Sequence, residues 1–277
     1  MTDSDRGKPA SRSGTTASLS GATEGTSRLT ARSHDPSNST DAPVVVVALI
    51  DLARGSRLWG WSKVVQRAAA LNGTPGLRFA KVMGSGHEGG FGLRPSGSIQ
   101  GLFCVFDNAV AAQGFTAPGG RLQPWRDRAR EIFCVKLKPW SSRGSWSGLQ
   151  LPVTAAAPTA GPVASLTRAS IRPGRAAAFW RMQPAAERSL AHAQGVRVAC
   201  GIGEAPILRQ ATFSLWDSVQ AMDAYARSGA HQEAIMAAAR GRFFSESMFV
   251  RFVPYDIEGS WKGQAAERMH AVTADPS

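Results

Sequence analysis

The side chains of this 277-residue chain that can ligate metal or move protons near neutral pH begin with five histidines, and they are not equivalent. His34 stands in a Ser/Thr/Gly-rich leader and His270 in a polar carboxy-terminal stretch, so both read as inert. His192 precedes Gly195 at an expected helix end, where an imidazole meets the helix dipole and serves structure. His87 lies in Gly84-Ser85-Gly86-His87-Glu88-Gly89-Gly90, between two strand-like runs; the segment reads as a β-loop, or as a lid over a substrate or cofactor. His231 follows Ser228-Gly229-Ala230, which restarts a helix, and the small residues Ala234, Ala237, Ala238 and Ala239 accompany Ile235 after it. A flat cofactor can approach such a face closely; the competing reading is a polar residue in a helix's first turn.

The remaining catalytic residue types are sparse. Cys104, Cys134 and Cys200 are odd in number, widely spaced and without a CxxC pair, which argues against a disulfide framework or a zinc cluster and fits a reducing cytoplasm. Cys104 and Cys134 sit in apolar strand-like runs and read as small buried hydrophobes. There is no GxSxG, HExxH, phosphate-binding Gly-rich loop before Lys-Ser/Thr, or GxGxxG between a strand and a helix. Ordinary hydrolase, metalloprotease and nucleotide chemistry therefore have little support.

Charge narrows the partners. The net charge is +12, and residues 1–41 carry five basic and five acidic groups, so the excess lies in the rest of the chain. Such a surface attracts anionic lipid, an acidic protein or an anionic ligand. No Arg-rich block with interleaved aromatics is present, so nucleic acid is not expected. The longest apolar run, Pro43 to Ile50, is far short of a membrane-spanning helix, and the amino terminus has no apolar signal core.

The elements that must position these residues follow from periodicity. Residues 1–41 read as a disordered leader, because they offer almost no large apolar side chain. An apolar strand from Val44, an aromatic amphipathic helix over Leu58 to Leu71, strands at Leu77 to Met83 and Ile99 to Phe106, a helix near Pro124 to Arg130 and a strand at Ile132 to Lys138 complete a first unit, 42–148. The uncharged Ala/Thr/Pro-rich 149–162 reads as a linker. A second unit, 163–258, repeats the order: strand Val163 to Ile171, helix Pro173 to Ala193, strands Val196 to Ile202 and Gln210 to Trp216, a helical region Val219 to Arg240 and a strand Met248 to Val253. A flexible tail is expected over 259–277.

The halves also match by residue. Leu77-Arg78-Phe79-Ala80 corresponds to Val196-Arg197-Val198-Ala199, and Gly84-Ser85-Gly86 to Gly201-Ile202-Gly203. Gln100, Phe103, Phe106, Asp107 and Phe115 recur as Gln210, Phe213, Trp216, Asp217 and Tyr225. The expected fold class is α+β: duplicated ferredoxin-like βαββαβ units forming a dimeric α/β-barrel-like architecture, with apolar space for a ligand between a sheet and its surroundings.

Three segments, Gly201-Ile202-Gly203-Glu204-Ala205-Pro206, Gln210-Ala211-Thr212-Phe213-Ser214-Leu215-Trp216 and Tyr225 to Ile235 around His231, resemble the signatures of the spheroidene monooxygenase family, the bacterial acyclic carotenoid 2-ketolases. Pro162 to Ile171, Arg175 with Phe179-Trp180, and Phe79 to Gly86 support the resemblance, which spans about Val44 to Pro254. It implies a haem (iron) monooxygenase that uses O2 to oxidise C2 of an acyclic carotenoid to hydroxy and keto products, with an electron donor such as ferredoxin. Haem supplies chemistry no side chain can, which suits the shortage of catalysts.

On this resemblance His231 is the iron-ligand candidate. Arg168, Arg175 and Arg197 pair with haem propionates or are solvated charges. Glu204 delivers protons to bound oxygen or forms a rim salt bridge, and Phe179, Trp180, Phe213 and Trp216 line an apolar substrate slot or belong to the core. A water-insoluble polyene implies a cytoplasmic protein in peripheral contact with an anionic membrane. Residues Gly195 to Gly203 also resemble the Gly-x-Arg-x-Cys-x-Gly loop of haem-thiolate monooxygenases, but the spacing is off by one on each side and the counterpart of Cys200 is Lys81. The alternatives are a haem- or polyene-binding barrel without oxygenase activity, and a cofactor-free barrel serving assembly.

Overall fold

The computed structural model describes residues 41–266, apart from positions 91, 206, 228, 230, 231, 233–235, 238 and 239. Eight antiparallel strands close into a barrel. Strands β1 (Val44–Leu52), β2 (Leu77–Gly86), β3 (Pro95–Phe106) and β4 (Ala129–Gly144) lie in the order β4-β1-β3-β2. Strands β5 (Val163–Ile171), β6 (Val196–Ala205), β7 (Arg209–Trp216) and β8 (Phe244–Trp261) follow as β6-β7-β5-β8, and the β2–β6 and β4–β8 ladders close the ring. A two-residue β9 (Gln264–Ala265) extends β8.

Outside the ring, α1 (Arg57–Gln66), α2 (Ala109–Thr116) and α3 (Gln123–Arg126) accompany the first four strands, and α4 (Ala176–Ala191) and α5 (Val219–Ala226) the second four. One buried cluster, with members from all eight barrel strands including Val47, Phe103, Phe133, Phe213 and Phe252, fills the barrel interior. A second cluster joins the outer face of the first four strands to α2 and α3, and a third joins that of the second four to α4 and α5. Strand β1, VVVVALIDL, is apolar on both faces because both are covered.

The two sets of strands share their register. Leu77 and Val196 both precede a bulge, and Phe79 to Gly84 oppose Val105 to Gln100 as Val198 to Gly203 oppose Leu215 to Gln210. This register sets Gly84 opposite Gly203 in equivalence, not Gly201, because the shift of 119 positions that matches Leu77 to Val196 continues along the strand. Arg78 pairs with Asp107 and Arg197 with Asp217. Gly76 (φ 66°) and Gly195 (φ 75°) take the same left-handed turn, and a Cβ there would meet the Cβ of Ala111 or Ala221 at 2.5 and 2.7 Å.

Several expectations are corrected. The second helix of the first half is α2, started by the Asn108 side chain accepting from Ala111 N, as the Ser218 side chain does for Ala221 at α5. The helix near Pro124 is a four-residue extra turn. The expected linker supplies Leu149 and Leu151 to the barrel core, and Trp261 and Ala266 are buried there too, so residues 259–266 are not tail. The leader to residue 40, and residues from 267, lie outside the described residues.

Candidate active site

The outer faces of the two strand sets differ in bulk. Across the first, Ala48, Leu102 and Val82 form one cross-strand row, and Val46, Cys104 and Ala80 the next. The equivalent rows of the second are Thr167, Thr212 and Gly201, then Ser165, Ser214 and Ala199. Leu102, Val82 and Val46 have become Thr212, Gly201 and Ser165, while Ala48 is replaced by the larger but polar Thr167. Among the described residues, sixteen buried hydrophobic residues pack the first outer layer, against four (Val163, Leu190, Trp216 and Met222) in the second, where Ser165, Thr167 and Thr212 are half-buried.

Aromatic groups bound this thinned face. At one end Trp216 stacks with Tyr225 at 5.2 Å, beside Trp140, whose ring lies 5.4 Å from the Arg251 guanidinium. At the other, Phe179 of α4 meets Phe244 at 6.0 Å and Trp180 at 5.4 Å, and Trp180 Nε1 donates to Ile207 O at 2.9 Å. Between them runs a short hydroxyl chain. Trp216 Nε1 donates to Ser214 Oγ at 2.9 Å, and Ser214 Oγ lies 2.9 Å from Ser165 Oγ.

The sequence-predicted residues divide between this face and the barrel interior. Phe179, Trp180 and Trp216 lie on the helical side. Phe213 does not: three positions from Trp216 in one strand, it points inward and is fully buried against Phe133 at 6.2 Å. Glu204 and Arg168 likewise face the barrel mouth. Glu204 accepts from Trp146 Nε1 and pairs with Lys81 Nζ at 3.1 Å and Arg209 at 3.7 Å, so it takes part in the rim ion pairs of its alternative reading. Arg168, buried, pairs with Glu246 and lies 5.6 Å from the Trp146 ring, and Arg197 pairs with Asp217. These two arginines already hold protein carboxylates and do not meet on one face. Arg175 is exposed at the start of α4. His231 lies outside the described residues.

Glu246 belongs to the same mouth. Burial raises its carboxyl, but hydrogen bonds from the backbone of Gly148 and Ser147 and from Arg168 and Ser145 outweigh this and hold it at about 2. Cys200 is buried inside the barrel with its thiol pushed up to about 12 by burial, which makes it a poor thiolate ligand. No cluster of three or more His, Cys, Asp or Glu suited to a metal occurs among the described residues.

No protein-family model matches the sequence. Curated relatives do. The chain is 55% identical over 229 residues, covering 83% of itself and 89% of the relative, to a spheroidene monooxygenase of Rubrivivax gelatinosus. It is 36% identical over 227 residues to one of Rhodobacter capsulatus, covering 80% of itself and 94% of that protein. The chain belongs to the spheroidene monooxygenase family. It is an oxidoreductase of the monooxygenase class. Among solved structures, an aldoxime dehydratase superposes with TM-score 0.56 at 8% identity, covering 86% of this chain and 91% of that one, which shows a shared fold.

Two of the segments that resemble the spheroidene monooxygenase signatures fall, over residues 201–205 and 210–216, on β6 and β7. Sequence reasoning missed Ser165, Thr167, Gly201, Thr212 and Ser214 as a group. The signal was available: the halves align, and β5, VASLTRASI, alternates where β1 is apolar throughout.

Proposed function

We propose that the chain is a haem-dependent monooxygenase that oxidises C2 of an acyclic carotenoid of the spheroidene type to hydroxy and keto products, on the thinned outer face of the second half. The observation that carries this reading is the loss of apolar bulk at Gly201, Thr212 and Ser165 relative to Val82, Leu102 and Val46, within a family whose relatives are spheroidene monooxygenases. The matched registers, bulges and ion pairs of the two halves also support their origin as a duplicated ferredoxin-like unit.

The donor set fits a porphyrin in part. A floor of Ser, Thr, Ala and Gly would admit a flat group as larger side chains would not, Arg175 would be available for a propionate, and His231, on the strength of its motif, would hold the iron. Haem, when bound, supplies the oxygen activation that side chains lack. The protein's own part is placement. Phe179, Trp180 and Trp216 offer aromatic faces to a polyene, while Trp216 fixes Ser214 as an acceptor and leaves the Ser214 proton for Ser165. An acidic donor such as ferredoxin and an anionic membrane suit the net charge of +12. No helix among the described residues is long and apolar enough to cross a membrane.

Absorption spectroscopy tests the reading. Protein reconstituted with haemin shows a Soret band that His231→Ala loses with its circular dichroism intact, and the holoenzyme with O2, ferredoxin and reductant converts spheroidene to a product one oxygen heavier. Protein that stays colourless with haemin refutes the haem assignment. A Soret band without conversion favours a binding protein.

A further inference from the structure

Helix α1 presents an apolar stripe to solvent. Leu58 is 87% exposed, Val65 77% and Trp61 38%, and their i, i+3, i+7 spacing puts them on one face. The opposite face explains why the helix stays docked. Trp59 packs edge-on against Trp125 at 5.2 Å, and Gly60 is buried so closely against Leu52 and Gln100 that a Cβ would collide with both. The stripe is therefore surplus to the fold.

Its electrostatic setting names an occupant. From Leu52 to His87 there is no Asp or Glu, and Arg54, Arg57, Lys63 and Arg67 stand on and around the helix without a carboxylate partner among the described residues. At the amino-terminal end of α1 a cleft of about 600 Å³ is lined by charges of both signs, Arg57, Arg94 and Arg130 with Asp51, Glu88 and Glu131, and Leu93 beside Arg94 is 57% exposed. Leucine, tryptophan and valine ringed by unpaired guanidinium groups match a lipid surface with anionic headgroups: the apolar side chains enter the acyl boundary and the cations stay at the phosphates. An acidic protein would complement the charge but not this convex apolar stripe.

The stripe also adjoins the proposed site. The Trp61 ring lies over Gly84 of β2, 3.7 Å from where a Cβ would stand, and Gly84 pairs across the β2–β6 seam with Gly203, on the thinned face. We propose that α1 is the membrane-docking element of this protein, seating Leu58, Trp61 and Val65 in an anionic bilayer so that the thinned face opens beside the lipid. The inference rests on the proposed function for the direction of traffic, a polyene passing from lipid to protein, and on α1 alone for the contact itself.

Vesicle flotation of the full chain tests it. Wild-type protein floats with phosphatidylcholine vesicles containing phosphatidylglycerol, and floats poorly with phosphatidylcholine alone or in high salt. L58S/V65S and R54Q/R57Q/R67Q each weaken that binding at least about tenfold, while thermal unfolding is unchanged because these side chains are exposed. Wild-type protein that does not float, or variants that float equally well, overturn the proposal. So does a wild-type dimer in sedimentation that L58S/V65S dissociates without vesicle binding, which makes the stripe a self-association surface. Conversion of detergent-solubilised spheroidene is read separately: L58S/V65S retains it, and a wild-type chain that floats but oxidises nothing fails the functional reading alone.

Discussion

The outer layers of the two halves are built on one register and filled in opposite ways. Over β1 to β3, the Val46, Leu102, Val82 and Cys104 side chains meet Phe115, Leu122 and Trp125 from the helical side, and the layer is closed. Over β5 to β7, Ser165, Thr212, Gly201 and Ser214 occupy the matching positions, and among the described residues the aromatic groups stand at the ends. A strand needs its ladder and its inward face to hold the barrel; its outward face is free to vary. The first half fills that face with large apolar side chains, and the second sets small and polar ones there.

Substitutions that exchange these roles measure the contrast. Leu102→Ala opens a void in the closed layer and costs about 3 kcal/mol of unfolding free energy, whereas Thr212→Ala at the matching position costs less than about 1 kcal/mol, both read by urea titration. Refilling the second layer works in the other direction. G201V/T212L leaves the melting temperature unchanged or higher and lowers haem retention and spheroidene turnover by about 100-fold, because the reacting groups are displaced; unaltered turnover would place the site elsewhere.

The paired arginines refine the comparison. Arg197 is 8% exposed and Arg78 55%, so Asp217→Ala destabilises by about 2 kcal/mol and Asp107→Ala by less than about 1 kcal/mol in the same titration. At the barrel mouth, where residues of both halves meet, Glu246 is held at about 2 against an ordinary 4.5. A depressed carboxyl contributes stability that is full above pH 4.5 and is lost as pH falls toward 2. Glu246→Gln therefore flattens the acid limb of the melting-temperature profile. Cys134 and Cys200 are buried thiols pushed up to about 12 by desolvation, and Cys104 is raised further still, so native protein leaves all three unmodified by iodoacetamide at neutral pH.

Element order was legible along most of the chain because the relevant signals are local. Alternation marked the strands, and Gly195 with Asn72-Gly73 marked helix stops. The missed α2 is short, and its Asn108 cap was the clue. The candidate site was harder to read. Glu204, Arg168 and Phe213 sit in or beside the right motifs, yet each points into the barrel while Trp216 points out, and facing depends on which positions a bulge shifts.

By itself the sequence determined the repeated strand and helix order, the cationic fold and a scarcity of side-chain catalysts that makes a cofactor reasonable. The tertiary structure decided that eight strands close into one ring, so that every strand has an inside as well as an outside. Local periodicity can say that two residues lie on opposite faces, but only closure says which face is the packed interior of the ring and which lies outside it.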